Sequence, residues 1–580
     1  MLREIEAQFH FWPWSVGIRE ETKDLLSSSV SFPFYGSPVL SISTGAALYL
    51  PQRNERFTQF GPPFRTLGGE YQLYEAPHGI LASREKLPEF TSDVISIRVP
   101  DRRISVRMLA KGVRTRYSST PDGELNESEL ARTVLAWSQF FDDLIEEAQK
   151  KWKKEGRFPW VAILDFIADL KLEMSEPRMA LIVHIAEAMH RQLAVTVNAA
   201  RKVLVRERRM LQAGRVIETD TACLHWYVRQ PGRTMAEKAA TNRQTLLGVS
   251  RRETYNTLEN RVLKDFLLRC TQESKRYLNT EVGDDQALIN SRRATRVRSF
   301  KHLCSNLRRA AFMEDIDKPP SPVRPNYVLQ NDFRYRQVWH LYKRLLRRED
   351  EEDQMWDWQS RTWADIARLL VGSALFQLFQ YSKEKPLRKV VVKELLTSDM
   401  QLLKEQHLGC RVQAGSEPGP FLIRHRSKDS SMAAVLEIVH ADLAHRHVIT
   451  QNLGRMGGHL YLVITPLNGD RRKVMVVWAI HTAASEIRPP WEEVASSAER
   501  ALREHAFRLG ERVTDFPELH GFVVASDLEE KGEPFYSGPH GQLWLVRVPA
   551  DQRHWWHKDA VKDAIVGLAL VMDDIMEKIL

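Results

Sequence analysis

Histidine and aspartate side chains cluster directly after an apolar run in the C-terminal third of the chain. His440, His445 and His447 follow the run at 432–439, and Asp442 lies between them. Imidazole and carboxylate groups are common ligands of divalent metal ions. However, His440 and Asp442 are too close in sequence to share one face of a helix, and no cysteine joins them. The pattern therefore fits two interpretations, a metal site or ordinary polar residues at the end of a strand.

A second group of informative residues is basic and lies in the middle of the chain. Residues 201–310 contain 24 Lys and Arg against 11 Asp and Glu, a net charge of +13 in a chain whose total is +9. Such a surface favours a polyanionic partner, because neutralising phosphates releases counterions. The alternative is a solvated surface that only keeps the protein soluble. The residues that we predict to contact nucleic acid are Arg251, Arg252, Arg261, Lys264, Arg292, Arg293, Arg296, Arg298, Lys301, Arg308 and Arg309.

The most distinctive stretch of the chain reads RRETYNTLENRVLK. Thr257 or Asn256 can cap a helix here, and Glu259 then lies in its first turn, where a negative charge favours the helix dipole. Arg261 and Lys264 lie three residues apart and share a face of that helix. Two interpretations remain, a structural helix tied to its neighbours by polar residues, or direct contact with backbone phosphates.

This stretch resembles the McrC-like family of restriction and phage-defence proteins, whose members carry T-x-E-N-R at the start of a helix before a PD-(D/E)xK nuclease-like domain. The likeness covers roughly residues 180–280, with support from 201–209 and from LHWYVRQPG at 224–232. The residues that carry it are Thr257, Glu259, Asn260, Arg261 and Lys264. The resemblance implies a DNA-associated subunit of a bacterial anti-phage defence or restriction system. Its partners would be DNA, a separate AAA+ or helicase-type NTPase, or both.

The resemblance also implies a C-terminal domain of PD-(D/E)xK nuclease-like fold. That chemistry needs an Asp on one strand, an Asp or Glu on the next to hold the metal ion, and a Lys two residues later. Phe421 and Val439 occupy two of these three positions, and Glu437 alone remains. We therefore predict a nuclease-like fold without its own catalysis, and we assign no cofactor.

Two other functions fit the sequence. A divergent endonuclease would depend on Mg²⁺ or Mn²⁺, with Asp429 as a further candidate ligand. Its candidate catalytic residues are Glu437, Asp442 and His440. A purely structural scaffold would instead contact protein partners through the acidic segment 349–358 and the pair Trp555–Trp556.

The chain is long enough for several domains, and its pattern predicts a multidomain α+β protein. Short alternating apolar runs punctuated by Gly, Pro and Ser predict a small β-rich domain over residues 1–118. Residues 119–317 predict a basic helical domain. Four prolines within 318–325 predict a linker, since they fit neither a helix nor an interior strand. Residues 326–580 predict an α/β domain.

Several elements follow from the periodicity of apolar residues. In the middle of the chain we predict helices over 160–173, 178–195, 199–211, 258–278 and 291–312. Beyond the linker we predict helices over 335–347 and 363–379, separated by the segment 349–358. In the last domain we predict strands over 419–424, 432–439, 459–464 and 473–480, covered by helices over 490–509 and 558–580.

Composition and motifs exclude other classes of protein. No secretory signal is visible, and the longest apolar stretches are well short of the roughly 20 residues that span a bilayer. The cysteines form no C-x-x-C pair, which indicates buried thiols in the reducing cytoplasm; they are Cys223, Cys270, Cys304 and Cys410. Glycine-rich phosphate-binding loops, H-E-x-x-H and G-x-S-x-G are absent from the sequence. Any nucleotide energy would therefore come from a partner.

Overall fold

The computed structural model of this 580-residue chain has mixed α+β architecture and divides into two compact units. Unit 1 combines Met1–Lys171 with Asp350–Leu580, and unit 2 is Leu172–Glu349. Residues 180–384 are described without a gap. Other parts are described with gaps that include 17, 19–21, 76–93, 138–175, 395–416, 426–432, 483–488, 527–534 and 549–557. The division into three domains stays a prediction.

The N-terminal part of unit 1 consists of short strands, in agreement with the alternating apolar pattern. They are β1 (Ala7–His10), β2 (Thr22–Asp24), β3 (Ser29–Pro33), β4 (Val39–Ser43), β5 (Ala47–Pro51), β6 (Phe57–Gln59), β7 (Arg65–Leu67), β8 (Tyr71–Glu75), β9 (Val94–Val99), β10 (Arg102–Lys111), β11 (Tyr117–Ser119) and β12 (Leu125–Glu127). They form sheets in the orders β2-β1-β4-β8-β7 and β3-β10-β9-β5-β6, and a hairpin β11-β12. Phe9 lies opposite Leu40, and both are fully buried, so the period-two pattern places apolar side chains in the core.

Unit 2 is mainly helical and contains one pair of strands among its described residues. Its longer elements are α1 (Leu181–Asn198), β13 (Val203–Gln212), α2 (Thr221–Arg229), α3 (Met235–Thr241), β14 (Thr245–Thr254), α4 (Leu258–Tyr277), α5 (Arg292–Arg308) and α6 (Phe333–Asp357). Phe266 and Cys270 of α4, one turn apart, are fully buried with Phe300 and Cys304 of α5. The predicted helices over 178–195, 258–278 and 291–312 are thus confirmed, with shifted ends. Residues 318–325 contain no helix or strand.

Two predictions of local structure are wrong. Residues 199–211 are not helical, because 203–212 form β13, which pairs antiparallel with β14 over ten residue pairs. Its partner lies about forty residues later, so no local periodicity could reveal the strand. The segment 349–358 does not separate two helices, because α6 continues to Asp357 and buries Met355 and Trp356 on the way. The helix predicted over 160–173 lies outside the described residues.

The C-terminal part of unit 1 is built on an eight-stranded sheet. Its elements are α7 (Gln359–Glu384), β15 (Val390–Glu394), β16 (Phe421–His425), β17 (Ala433–His440), β18 (Leu460–Pro466), β19 (Lys473–Ile480), α8 (Trp491–Gly510), β20 (Glu518–Ala525), β21 (Phe535–Ser537), β22 (Leu543–Arg547) and α9 (Lys558–Ile579). The order is β15-β16-β17-β18-β19-β20-β22-β21. Neighbours from β15 to β19 are antiparallel, whereas β19, β20 and β22 are parallel.

Helices cover both faces of this sheet, which explains its continuous apolar strands. Leu462 and Ile464 of β18 belong to a core cluster with residues of α7 and α9. Tyr461 and Val463, which alternate with them, belong to a second cluster with residues of α8. The four predicted strands and the helices predicted over 490–509 and 558–580 are confirmed.

Three of the four cysteines are described, and Cys223, Cys270 and Cys304 are free and buried as predicted. Cys410 lies outside the described residues. Within the described part of the chain, none of the helices has the length and apolar character needed to cross a membrane.

Candidate nucleic-acid interface

Strands β13 and β14 form an exposed two-stranded ribbon in unit 2. They pair from Val203 opposite Thr254 to Gln212 opposite Thr245. Along most of β13 every side chain is exposed, including those of the apolar Leu204 and Val205. Consecutive charged residues on β13 indicate that both faces of the two-stranded sheet are in solvent towards its base, whereas Leu246, Gly248 and Val249 of β14 are buried near its other end. We call residues 203–212 and 245–254 the ribbon.

Residues 213–244, which connect the two strands, form a small helical head. Helices α2 and α3 pack on β14 around a core of five buried residues, Cys223, Tyr227, Ala239, Leu246 and Val249. Tyr227 donates its hydroxyl hydrogen to the carbonyl of Leu247. Lys238 donates to the carbonyls of Tyr227 and Gln230 at 2.6 and 3.0 Å, which ties α3 to the end of α2. These contacts hold the head at the end of the ribbon.

Carboxylates from the head pair with some of the arginines of the ribbon. Glu218 forms ion pairs with Arg206 and with Arg251, the latter at 3.3 Å. Asp220 pairs with Arg208 at 2.5 Å. Sequence reasoning included Arg251 but left Arg206 and Arg208 out of the predicted contacts. No local signal could have found them, since VLVRERRMLQ carries three consecutive apolar residues and then four consecutive charged ones instead of the alternation typical of a strand.

Asp220 also caps helix α2. Its carboxylate accepts the backbone N–H of Cys223 at 3.0 Å. That backbone hydrogen bond, together with the hydrogen bond from Arg208, lowers the pKa of Asp220 from 3.8 to about 2. The carboxylate is therefore ionised at neutral pH and keeps its pairing with Arg208.

The T-x-E-N-R segment lies at the start of α4, where Thr257 accepts the N–H of Asn260 at 3.4 Å. Asn260 is fully buried and donates to the carbonyls of Arg201 and Tyr255 at 2.9 and 2.8 Å. Glu259 is almost fully buried. It pairs with Arg201 at 3.0 Å and accepts the amide of Asn326 at 2.9 Å. These contacts join both strands of the ribbon, at its base, to α4 and to the segment before α6, which favours the structural interpretation of the motif.

Arg261 and Lys264, on the same helix, also contact the protein itself. Arg261 donates to Asn256 at 2.7 Å and pairs with Asp317 at 3.3 Å. Lys264 donates to the carbonyl of Ile316 at 2.7 Å. Both side chains are therefore already bonded to groups of the protein. Contact of Arg261 and Lys264 with nucleic acid stays a prediction.

The predicted basic helix α5 carries six of the predicted contact residues, and Arg309 follows it directly. Arg292, Arg308 and Arg309 are exposed. Arg296 pairs with Glu187 at 3.3 Å. The other three, Arg293, Arg298 and Lys301, are partly buried. Arg293 donates to the carbonyl of Pro177 at 3.0 Å, and Arg298 donates to the carbonyl of Ile289 at 3.3 Å. The basic side chains point in several directions around α5, so they do not form one stripe.

The candidate catalytic residues lie at one end of β17. Glu437 is partly exposed, and its carboxylate lies 3.6 Å from Nε2 of His447. His440 is buried at the end of the strand. Asp442 lies in a short 3₁₀ helix, Ala441–Leu443, but its side chain is outside the described residues, as are Asp429 and His445. Among the described side chains, no group of three His, Cys, Asp or Glu is arranged to hold a metal ion.

Sequence reasoning missed a buried charged cluster in unit 1. His459 donates through Nε2 to Glu75 at 3.2 Å, because its Nδ1 accepts the N–H of Ala479 at 3.1 Å. Arg361 lies 3.3 Å from the other oxygen of Glu75. Burial opposes ionisation of Glu75, but the hydrogen bond from His459 and the charge of Arg361 lower its pKa overall. The cluster joins strand β8 to residues more than 280 positions later, so no local pattern could indicate it.

Unit 2 presents a basic ribbon with a helical head, and unit 1 is a mixed sheet covered by helices. Residues 174–342, almost all of unit 2, match a family model described as "Domain of unknown function (DUF2357)". The comparison with curated proteins finds no match.

One solved structure is similar to this chain over most of its length. It is the "Refined half-complex from tetradecameric assembly of Thermococcus gammatolerans McrB AAA+ hexamers with bound McrC". The identity is 10%, and the alignment covers 83% of this chain and 89% of that chain. The TM-score is 0.18, so this likeness carries no argument about fold or partner.

Proposed function

We propose that this chain is a DNA-binding subunit of a restriction-type defence system and that it does not cleave DNA itself. One observation carries the proposal, the exposed antiparallel ribbon of unit 2 with arginines on both strands. The major groove of B-form DNA admits a two-stranded β-ribbon. Arginine suits this role because its charge is fixed and its guanidinium can bind a phosphate through two hydrogen bonds.

The charge distribution supports the same proposal. Residues 201–310, which include the ribbon, the head and α5, carry a net charge of +13. Exposed arginines of α5, among them Arg292 and Arg308, add further positive charge to unit 2. Contacts with phosphates fix the position of a protein on the duplex without reading its sequence.

The absence of cleavage is part of the proposal and rests on the sheet of unit 1. We propose that this sheet has a nuclease-like fold whose metal site has been lost. Phe421 is fully buried where a metal-binding Asp would stand, and Val439 is buried where the Lys would stand. Glu437 faces His447 instead of a second described carboxylate. One carboxylate gives a weak site for Mg²⁺.

The binding proposal is tested by titrating a fluorescent DNA duplex of two helical turns, about 20 base pairs, with the full chain. The affinity should fall steeply between about 50 and 200 mM NaCl, because phosphate contacts release counterions. Absent binding, or binding that does not respond to salt, would refute the proposal.

A separate assay tests cleavage. Plasmid DNA is incubated with the chain and Mg²⁺ or Mn²⁺, beside a Glu437→Ala variant. We expect intact plasmid in both. Cutting by the unchanged chain that Glu437→Ala abolishes would establish the divergent endonuclease instead.

A second candidate function, association with a separate AAA+ or helicase-type NTPase, is favoured by apolar side chains on the head. Ile217 is 97% exposed and Val228 is 81% exposed. Leu224, one turn before Val228 on α2, is also exposed. Co-expression with an NTPase encoded beside this chain tests it, and Val228→Asp should then abolish co-purification. Co-purification that survives this change would exclude α2 as the contact. The scaffold interpretation of residues 349–358 and of Trp555–Trp556 stays a prediction, and the tryptophan pair lies outside the described residues.

A further inference from the structure

The two faces of the ribbon carry different sets of arginines. In an antiparallel pair, side chains directly opposite each other point to the same side, and the side alternates along each strand. Arg206 lies opposite Arg251, and Arg208 lies on the same side as both. Arg209 lies opposite Gly248, and Arg252 lies opposite Val205. Val205 and Arg209 are four positions apart on β13, so their side chains point to the same side. Arg252 shares that side because it lies opposite Val205, and it is the side opposite to that of Arg206.

On the face with Arg206, Arg208 and Arg251, each arginine is paired with a carboxylate of the chain itself. Glu218 pairs with two of these arginines and Asp220 with the third. At the base of the same face, Glu253 pairs with Lys202 at 3.2 Å. We call this surface the neutralised face. A phosphate would have to displace a carboxylate to reach any of its three arginines.

The opposite face leaves its arginines open to solvent. Arg209 and Arg252 are exposed, and among the described residues neither forms an ion pair with a carboxylate. Arg209 donates only to the neutral hydroxyl of Ser250, at 3.2 Å. Glu207 lies between the two arginines on this side, opposite Ser250, and pairs with neither. We call this surface the open face.

The two open arginines stand on different strands of the ribbon, Arg209 on β13 and Arg252 on β14. They stand four residue pairs apart along the ribbon, which is about 13 Å at about 3.3 Å per residue. The major groove of B-form DNA is about 12 Å wide. A ribbon that lies along the groove has one strand nearer each phosphate backbone, so Arg209 on β13 and Arg252 on β14 face phosphates on opposite sides of the groove. The major groove of double-stranded RNA is too narrow and deep for side chains to enter.

We propose that the open face is the DNA-contacting surface of this protein, with Arg209 and Arg252 bound to phosphates on the two sides of one major groove. The neutralised face then points away from the duplex. This inference rests on the proposed function, and it assigns Arg252 to the interface while it removes Arg251.

Two double variants of the full chain test the assignment. Arg209→Ala with Arg252→Ala removes two charges from the open face, and Arg206→Ala with Arg251→Ala removes two from the neutralised face. With the same short B-form duplex, the first pair should weaken binding at least about tenfold and reduce the salt slope by about two. The second pair should change the affinity by less than about threefold. Circular dichroism of each variant checks that the ribbon still folds.

A conservative pair and a second probe complete the experiment. Arg209→Lys with Arg252→Lys keeps both charges and should keep the salt slope. A double-stranded RNA of the same sequence should bind more weakly than the DNA. An equal loss of DNA affinity in both alanine double variants would overturn the assignment of the face. Equal affinity for RNA and DNA would overturn the assignment of the groove, and neither result would contradict DNA binding itself. Absence of DNA binding by the unchanged chain would instead overturn the proposed function.

Discussion

The side-chain oxygen of Asn260 accepts a hydrogen bond from the hydroxyl of Tyr335 at 2.7 Å, inside unit 2. Tyr335 in turn accepts the backbone N–H of Arg201 at 3.0 Å. Asn260 therefore contacts the residue that leads into β13 and the helix α6 at the same time. The most distinctive motif of the sequence thus supports the base of the ribbon from within the protein.

We expect Asn260→Ala to destabilise the protein by about 2–4 kcal/mol, since it leaves several buried polar groups without partners. Tyr335→Phe removes both hydrogen bonds of its hydroxyl, to Asn260 and from the N–H of Arg201, and should cost about 1–3 kcal/mol. Urea unfolding of the full chain, followed by circular dichroism, measures both. The exposed Asn290, which bonds only to a carbonyl of its own helical turn, provides the control Asn290→Ala. A stable Asn260→Ala protein with weakened DNA binding would show that the motif contacts DNA directly.

The second prediction concerns the masking of one ribbon face by Glu218. Glu218→Gln frees Arg206 and Arg251 from their carboxylate. The added positive charge attracts the duplex at long range although this face points away from it, so we expect DNA affinity at low salt to rise about twofold. Glu253→Gln, within the ribbon, also removes one negative charge but frees only Lys202, so its effect should be smaller. Unchanged or reduced affinity in Glu218→Gln would contradict the neutralisation of this face.

The third prediction is a pH dependence of unit 1 that arises from His10. Burial lowers the pKa of His10 from 6.5 to about 4, against a smaller opposing effect of a hydrogen bond with the backbone of Ser15. Between these two values the unfolded chain binds a proton that the folded chain does not. Stability from this group is therefore complete above pH 6.5 and is lost as the pH falls towards 4.

At about pH 4, the pKa of His10 in the folded chain, the free energy of unfolding should be lower by about 3 kcal/mol than above pH 6.5. Urea unfolding at about pH 7 and about pH 4.5 measures most of it. His10→Gln keeps a polar partner for Ser41, which lies 2.8 Å from the ring of His10, and removes the titration. The variant should lose less stability than the unchanged chain over this interval. An identical pH dependence in both proteins would exclude His10 as its source.

The fourth prediction concerns the contact between Gly457 and the N-terminal segment. Gly457 has a φ of +61°, and a Cβ placed there would lie 2.0 Å from the carbonyl oxygen of Pro13. Gly457→Ala should therefore destabilise unit 1 by more than about 3 kcal/mol, since backbone cannot move aside cheaply. Gly469 also has a positive φ, of +83°, but has no atom within 4 Å of the same position. Gly469→Ala should cost only about 1–2 kcal/mol, and thermal unfolding of both variants makes the comparison. Similar losses of stability in the two variants would mean that the backbone of Pro13 does not exclude a Cβ at position 457.

Sequence by itself determined the elements whose signals are local. Helix α4 has its cap at Thr257 and apolar residues one turn apart, and strands β17 to β19 have apolar runs that suit only a sheet covered on both faces. The basic character of the middle of the chain was equally visible, because charge is counted without knowing the fold. These features depend on neighbours within a few positions.

Tertiary structure alone decided how those features are used. Strand β13 depends on a partner about forty residues later, and Glu75 meets His459 across 384 positions. Whether an arginine is neutralised or open depends on which side of the ribbon it occupies and on where Glu218 and Asp220 lie. Amino-acid composition cannot show which arginines are paired, because the interaction energy of two charges depends on the distance between them, and the fold sets that distance.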